Sequence, residues 1–176
     1  NFLGNAFATS SETIGTLQLG ARMSTVTLTP GTGQTPAVTF GSIDRSLYGT
    51  VLFRGANLGA ATGADVSQVF ITAPTTLIGS LGAPGSKNLV IIPYALGDYS
   101  PTGTGTTFVT YDPADGVRPL DLLTEFSEFS AAAAGDNVRM LASTSAAGKA
   151  INSLLLETSS GAIAFDGSGT LEVTSG

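Results

Sequence analysis

The sequence predicts an all-β protein, specifically a parallel β-helix or solenoid, and three observations lead to that prediction. Only 11% of the 176 residues are charged, whereas 42% are apolar and 23 residues are glycine. Short runs that alternate β-branched and polar residues recur between Gly, Pro, Asn and Ser turn signals. Three of these runs near the start of the chain are echoed by three runs near its end, which is typical of a repeat architecture.

The predicted strands are short, and the alternation is clearest in residues 24–29. There Val26 and Leu28 face one side of the strand and the intervening threonines face the other, until Pro30 ends the pattern. The remaining predicted strands are 14–19, 37–40, 50–53, 68–72, 88–93, 106–111, 137–142, 151–157, 162–165 and 170–174.

The internal echo relates the two ends of the chain. Residues 14–19 match residues 151–156, and the next two runs, beginning at Val26 and Val38, match runs beginning at Ile163 and Leu171. A three-strand unit of about 25 residues can coil into one turn of a parallel β-helix. We then expect one inward face built from Leu17, Leu19, Val26, Leu28, Val38 and Phe40.

The alternative all-β fold is an antiparallel β-sandwich, whose strands also recur every 8–12 residues. A sandwich should contain hairpin dipeptides such as Asn-Gly or Asp-Gly between adjacent strands. Asp115-Gly116 and Asp166-Gly167 are the only two in the sequence, so the pattern favours the solenoid.

Residues 119–134 depart from the strand pattern. Leu122, Phe126 and Phe129 share one helical face, and Asp121 and Glu125 favour the N-terminal end of a helix. We expect either a short helix on the flank of the solenoid or an extended apolar flap that covers one side of it.

Eight stretches, taken in order, carry a resemblance to a known family. They are residues 10–19, 24–31, 38–43, 85–97, 108–112, 116–120, 151–156 and 171–176. In sequence they resemble the passenger region of bacterial autotransporter-associated β-strand repeat proteins, which are very long surface polypeptides. The resemblance implies a right-handed parallel β-helix exported to the bacterial cell surface, with a structural and adhesive role and no catalytic motif to transfer.

Composition excludes several classes of chemistry. The chain has no histidine and no cysteine, which removes the commonest general base, thiol nucleophiles and thiolate metal sites. Neither phosphate-binding nor dinucleotide-binding glycine motifs occur. The net charge is −6 and the seven Lys and Arg residues are scattered, so the chain lacks the basic stripe of a nucleic-acid-binding protein. The longest apolar run, residues 89–92, is too short to span a membrane. We therefore expect no enzyme activity, no cofactor and no metal ion.

One polar cluster, formed by Asp112, Asp115 and Arg118, is a candidate catalytic site. Two carboxylates and a base could in principle act on a polysaccharide, as a hydrolase or lyase. The residues also fit an Asp-Pro turn followed by an Asp-Gly turn, with the Asp side chains bonding local amides, and this structural interpretation is preferred. Asp98 joins Asp112 and Asp115 as an unpromising candidate for loose calcium binding.

A second candidate is a glycan-binding platform. The four tyrosines could stack on sugars if they surfaced on one flank, although tyrosines more often cap the edge of a core. They are Tyr48, Tyr94, Tyr99 and Tyr111. A carbohydrate-active β-helix, either an enzyme or a glycan-binding module, is therefore the alternative to the structural and adhesive function.

The two ends of the chain predict a partner. Residues 169–176 stop directly after an alternating strand, and Phe2, Leu3 and Phe7 place apolar side chains at the other end. An open turn of a solenoid offers unpaired backbone groups to any strand. We expect each end to stack on adjoining repeats of a longer chain or on another copy, head to tail, which builds a filament.

Overall fold

The computed structural model describes residues 1–73, 76–145, 148–158, 161–167 and 169–175, and nearly all of its regular structure is β-strand. The chain divides into two compact units. The first comprises Asn1–Thr76 with Tyr94–Leu120, and the second comprises Leu77–Pro93 with Asp121–Gly176. That residues 1–176 form one continuous solenoid segment stays a prediction.

The first unit contains two sheets of parallel strands, and successive strands along the chain alternate between them. β1, β3, β5 and β7 are neighbours in one sheet, and β2, β4 and β6 are neighbours in the other. Their bounds are β1 Phe2–Leu3, β2 Ser11–Gln18, β3 Met23–Thr29, β4 Ala37–Asp44, β5 Thr50–Gly55, β6 Gln68–Ile71 and β7 Ala95–Asp98. The hydroxyl of Thr16 lies 2.9 Å from that of Ser42, 26 residues later, so β2 and β4 are in register.

The inward face of the first unit contains the residues that alternation predicts. Leu19, Leu28, Val38 and Phe40 are buried. Leu17, on the edge strand β2, and Val26, beyond the two residues of β3 that pair with β1, are half-buried. The predicted inward face is thus confirmed for four residues and partly confirmed for the other two.

The prediction of parallel pairing throughout is wrong for residues 107–119. β8 (Thr107–Asp112) pairs antiparallel with β7, and β9 (Gly116–Pro119) pairs antiparallel with β8. The turn between β8 and β9 contains Asp115-Gly116, with Gly116 at a φ of 83°. Glycine adopts this left-handed conformation at little cost, so the hairpin dipeptide signals a hairpin here.

The second unit contains three parallel strand pairs. β10 pairs with β13, β11 with β14, and β12 with β15. Their bounds are β10 Asn137–Met140, β11 Thr144–Ser145, β12 Lys149–Ile151, β13 Ser153–Leu156, β14 Phe165–Asp166 and β15 Leu171–Val173. A buried cluster of Phe129, Val138, Met140 and Ile151 packs between these strands.

The internal echo does not correspond to equivalent structure. In the first unit β2 and β4 are hydrogen-bonded neighbours, so the three early runs occupy only two sheets. In the second unit β13, β14 and β15 pair with three different strands. The apolar spacing is alike because both groups are strands of period two, but the turns between them fold differently.

Two further predictions are corrected in the second unit. Residues 88–93 are not a strand; Ile91 only forms an isolated antiparallel bridge with Ile78, although Leu89 to Ile92 are buried. No α-helix occurs in the described part of 119–134, which contains a 3₁₀ helix, Phe129–Ala131. The carboxylate of Asp121 accepts the N–H groups of Leu123 and Thr124, which closes a turn and does not begin a helix.

Candidate functional site: an open strand edge and an exposed corner

β2 forms one edge of its sheet, and seven of its eight residues are exposed. Ile14 lies directly beside Phe40 of β4, which lies beside Ile71 of β6. Phe40 and Ile71 are each 4% exposed, whereas Ile14 is 46% exposed. The core column therefore ends at Ile14 on the exposed edge strand β2. Phe40 has a strand on both sides, and Ile71 lies on the opposite edge strand, β6, where the hydroxyl of Tyr111 contacts its backbone.

A charge stands at the next inward position of the same edge. Glu12 lies beside Val38, which lies beside Val69; both valines are buried, but Glu12 is exposed. An inward-pointing charge on an edge strand disfavours pairing with an arbitrary strand. A strand added here has to satisfy Glu12 as well as cover Ile14, which makes the edge selective.

The apolar residues predicted at the ends are partly incorporated in sheets. Phe2 and Leu3 form β1, which pairs with Leu28 and Thr29 of β3. Leu3 and Phe7 are nonetheless 71% and 94% exposed. At the other end Val173 lies in β15 and pairs with Ile151.

The polar cluster at residues 112–118 belongs to the β8–β9 hairpin. The carboxylate of Asp112 accepts the N–H of Ala114 at 2.7 Å, as the turn interpretation predicts. Arg118 lies on β9 opposite Thr110 and donates to the carbonyl of Pro119 at 3.3 Å. These contacts are those of a turn and a strand.

Asp98, the other calcium candidate, is enclosed by the loop that follows β7. It is 6% exposed, and its carboxylate accepts the N–H groups of Ser100 at 2.9 Å and Gly105 at 3.1 Å. A side chain at Gly103 would collide with the same carboxylate. Among the described residues no group of three or more acidic side chains is placed to hold a metal ion.

The four tyrosines do not share one surface role. Tyr111 donates its hydroxyl to the carbonyl of Ile71 at 3.0 Å, and Tyr99 donates to the carbonyl of Pro119 at 3.1 Å. Tyr94 and Tyr99 lie beyond opposite ends of β7. Tyr48 is 83% exposed, on the turn between β4 and β5.

Tyr48 belongs to a corner that sequence reasoning missed. The turn from β2 to β3 and the turn from β4 to β5 are adjacent, since Thr50 donates its N–H to the carbonyl of Arg22 at 3.3 Å. Gly49 packs so closely on the carbonyl of Gly20 that a side chain there would collide with it. The charged and the large apolar or aromatic side chains exposed at this corner are Arg22, Met23, Arg45, Leu47 and Tyr48. We call these five residues the Arg-Tyr corner.

The second unit contains a groove of about 370 Å³ between the 3₁₀ segment and the strands β10 and β11. Leu122, Phe126 and Met140 line it, and Arg139 provides its cation. The guanidinium of Arg139 is already paired with the carboxylate of Glu157 at 2.7 Å. Glu128 also lines the groove, which therefore combines apolar side chains with a paired cation and an acidic residue.

No helix in the described ranges is long and apolar enough to cross a membrane. Comparison with protein-family models, curated proteins and solved structures finds no match to this chain.

Proposed function

We propose that this chain is a non-catalytic structural and adhesive module of the bacterial cell surface, built as a parallel β-solenoid that stacks end to end into a fibre. The proposal joins the sequence resemblance to autotransporter-associated repeat passengers with the strand pairing of each unit. Its partners are adjoining repeats or further copies of the same chain, with surface glycans as the target of adhesion.

The pairing pattern supports a coil. Parallel neighbours cannot be joined by a tight turn and need a crossover connection. In the first unit that connection is a strand of the other sheet, so the chain visits the two sheets alternately and returns beside its previous strand. In the second unit β10, β11 and β12 precede β13, β14 and β15 in the same order, which is the pattern of two turns of a three-sided coil.

The single observation that carries end-to-end stacking is the uncovered edge at β2, where Ile14 ends a column that is otherwise buried. β13, which lies toward the C-terminus of the chain, has four residues. A second copy that stacked head to tail through β13 would therefore pair with up to half of β2. An adjoining turn of a longer polypeptide would pair with all of it. A head-to-tail contact does not close on itself, so it propagates.

Sedimentation velocity across a range of protein concentrations tests the proposal. We expect the mean sedimentation coefficient to rise with concentration, and Ile14→Lys, Phe2→Lys and Val173→Lys each to suppress the rise by burying a charge in the contact. Leu123→Lys places the same charge on a leucine that is 86% exposed and lies outside the strand edges, so it should leave the rise intact. Wild-type protein that stays monomeric at the highest concentration would overturn end-to-end stacking.

A further inference from the structure

The Arg-Tyr corner collects the exposed cations of the first unit. Of the four arginines in that unit, Arg54 and Arg118 are half-buried, whereas Arg22 and Arg45 are exposed and both belong to the corner. The whole chain has a net charge of −6, so this local excess of positive charge opposes the overall balance. A positive patch attracts anionic ligands.

The corner also presents apolar and aromatic surface. Tyr48 is 83% exposed, Leu47 is 59% exposed and Met23 is 58% exposed. Arginine, tyrosine and methionine are enriched where proteins contact partners, and arginine and tyrosine provide most of the dominant contacts. An exposed tyrosine ring offers a flat apolar face with a hydroxyl at its edge, which suits the C–H face of a sugar ring.

Tyr48 is held in an unfavourable backbone conformation. Its φ is 56°, in the left-handed region that a bulky residue rarely adopts. A glycine or asparagine would fit this turn at lower cost. Tyr48→Asn therefore removes the ring without adding strain to the turn.

Arg45 is held in place from within the corner. Its Nε donates to the carbonyl of Gly49 at 2.8 Å, and its guanidinium lies 4.9 Å from the centre of the Tyr94 ring. The neighbouring acid, Asp44, uses its carboxylate to accept the N–H of Ser46 at 2.8 Å. A preorganised guanidinium loses less entropy when it binds a carboxylate or sulfate.

We propose that the Arg-Tyr corner binds acidic polysaccharide, with Arg22 and Arg45 contacting carboxylate or sulfate groups and Tyr48 stacking on a sugar ring. This inference rests on the proposed adhesive function and assigns it a ligand class and a location. It does not depend on end-to-end stacking, because the corner consists of turns and the stacking edge is β2.

Calorimetry and a retardation assay with the full chain test the site, using oligogalacturonate and heparin oligosaccharide as probes and neutral dextran of equal length as the comparison. We expect binding to at least one acidic probe, none to dextran, and weakening as ionic strength rises. Arg22→Gln with Arg45→Gln, and separately Tyr48→Asn, should each weaken binding by about tenfold or more. Arg22→Gln alone, which leaves the Arg45 contacts intact, should weaken it by a smaller factor.

Two matched controls lie in the second unit. Lys87→Gln removes an exposed cation, and Leu81→Asn replaces a residue that is 85% exposed at a φ of 55°. Both should leave affinity unchanged. Equal affinity for dextran, equal weakening by the controls, or tighter binding to phosphatidylglycerol vesicles than to either glycan would overturn the site.

Sedimentation of the same samples separates this inference from the proposed function. Corner variants should lose glycan binding and still associate with concentration. Association without glycan binding in the wild-type protein contradicts the corner site alone, and glycan binding without association contradicts stacking alone.

Discussion

The Nε of Arg54 donates a 2.8 Å hydrogen bond to the hydroxyl of Thr27, the residue directly beside it in the parallel pair β3–β5. Its guanidinium also donates to the carbonyl of Gly103 at 2.8 Å. The contact ties two successive strands of one sheet, 27 residues apart in the chain, to the loop that follows β7.

Thr27→Val removes the acceptor of this bond while nearly preserving volume. Thr27 is buried, so the substitution leaves a charged donor without its partner, and we expect a loss of about 1–3 kcal/mol in the free energy of unfolding. Thr13→Val makes the same change at an exposed position of β2 and should cost under about 0.5 kcal/mol. Urea unfolding measures both, and equal effects would contradict the assigned bond.

Asn137 joins a buried polar network in the second unit. Its side-chain amide donates to the carbonyl of Leu89 at 2.9 Å, and its oxygen accepts from Asn152 and Ser153, both at 2.8 Å. Asn137→Ala removes all three of these hydrogen bonds and leaves the Asn152 amide with its 3.3 Å bond to the carbonyl of Ile78, so we expect a loss of about 3 kcal/mol or more in the free energy of unfolding. Thr170→Ala, at an exposed position, is the control, and an Asn137→Ala variant as stable as this control would show that the network is not formed.

Gly49 and Gly15 form a matched pair of glycine-to-alanine tests. A side chain at Gly49 would collide with the carbonyl of Gly20, whereas one at Gly15 meets nothing within 4 Å. Gly49→Ala should therefore lower the free energy of unfolding by about 2 kcal/mol or more, and Gly15→Ala should change it by less than about 0.5 kcal/mol. Thermal and urea unfolding report the difference; similar values for the two variants would show that the corner turns do not pack as described.

The triple change Asp112→Ala, Asp115→Ala and Arg118→Ala tests the hairpin cluster against a catalytic role. Loss of the hydrogen bond that the Ala114 N–H donates to Asp112 should lower the free energy of unfolding by about 1 kcal/mol, while association and glycan binding persist. Incubation with pectin, alginate and glucans, followed by reducing-end assay, gives the chemical test. Depolymerisation by the wild-type protein that the triple change abolishes would establish the carbohydrate-active alternative.

Local pattern was sufficient to predict most strands, because period-two alternation places residues such as Leu28 and Val38 inward whatever the partner strand is. The local pattern failed at residues 88–93, where an apolar run is buried without forming a strand. Burial requires apolar side chains, but it does not require backbone hydrogen bonds to a neighbouring strand. Within residues 119–134, where a short helix or an extended flap was expected, only Phe129–Ala131 are helical, because the spacing of Leu122, Phe126 and Phe129 satisfies a helical face and a packed irregular segment equally well.

The Arg-Tyr corner was not predictable from spacing. Arg22 and Arg45 are distant in sequence, and the turns that carry them become adjacent only because β3 and β5 pair with Met23 beside Thr50. Without the pairing of Met23 with Thr50, the sequence shows only two separate turns, one before β3 and one before β5. A bulky residue within a Gly-bounded turn, as at Tyr48, was the one local signal available.

Cysteine cross-linking tests the central claim, that the β2 edge of one copy pairs with the C-terminal strands of another copy. The chain has no native cysteine, so every disulfide that forms joins introduced residues. Ile14→Cys protein is oxidised alone and after mixing with Leu156→Cys, Phe165→Cys or Glu172→Cys protein, which place a thiol on β13, β14 or β15. A head-to-tail contact predicts a covalent dimer in at least one mixture and monomer for Ile14→Cys alone. Efficient dimer formation by Ile14→Cys alone, or monomer in all three mixtures, would contradict it.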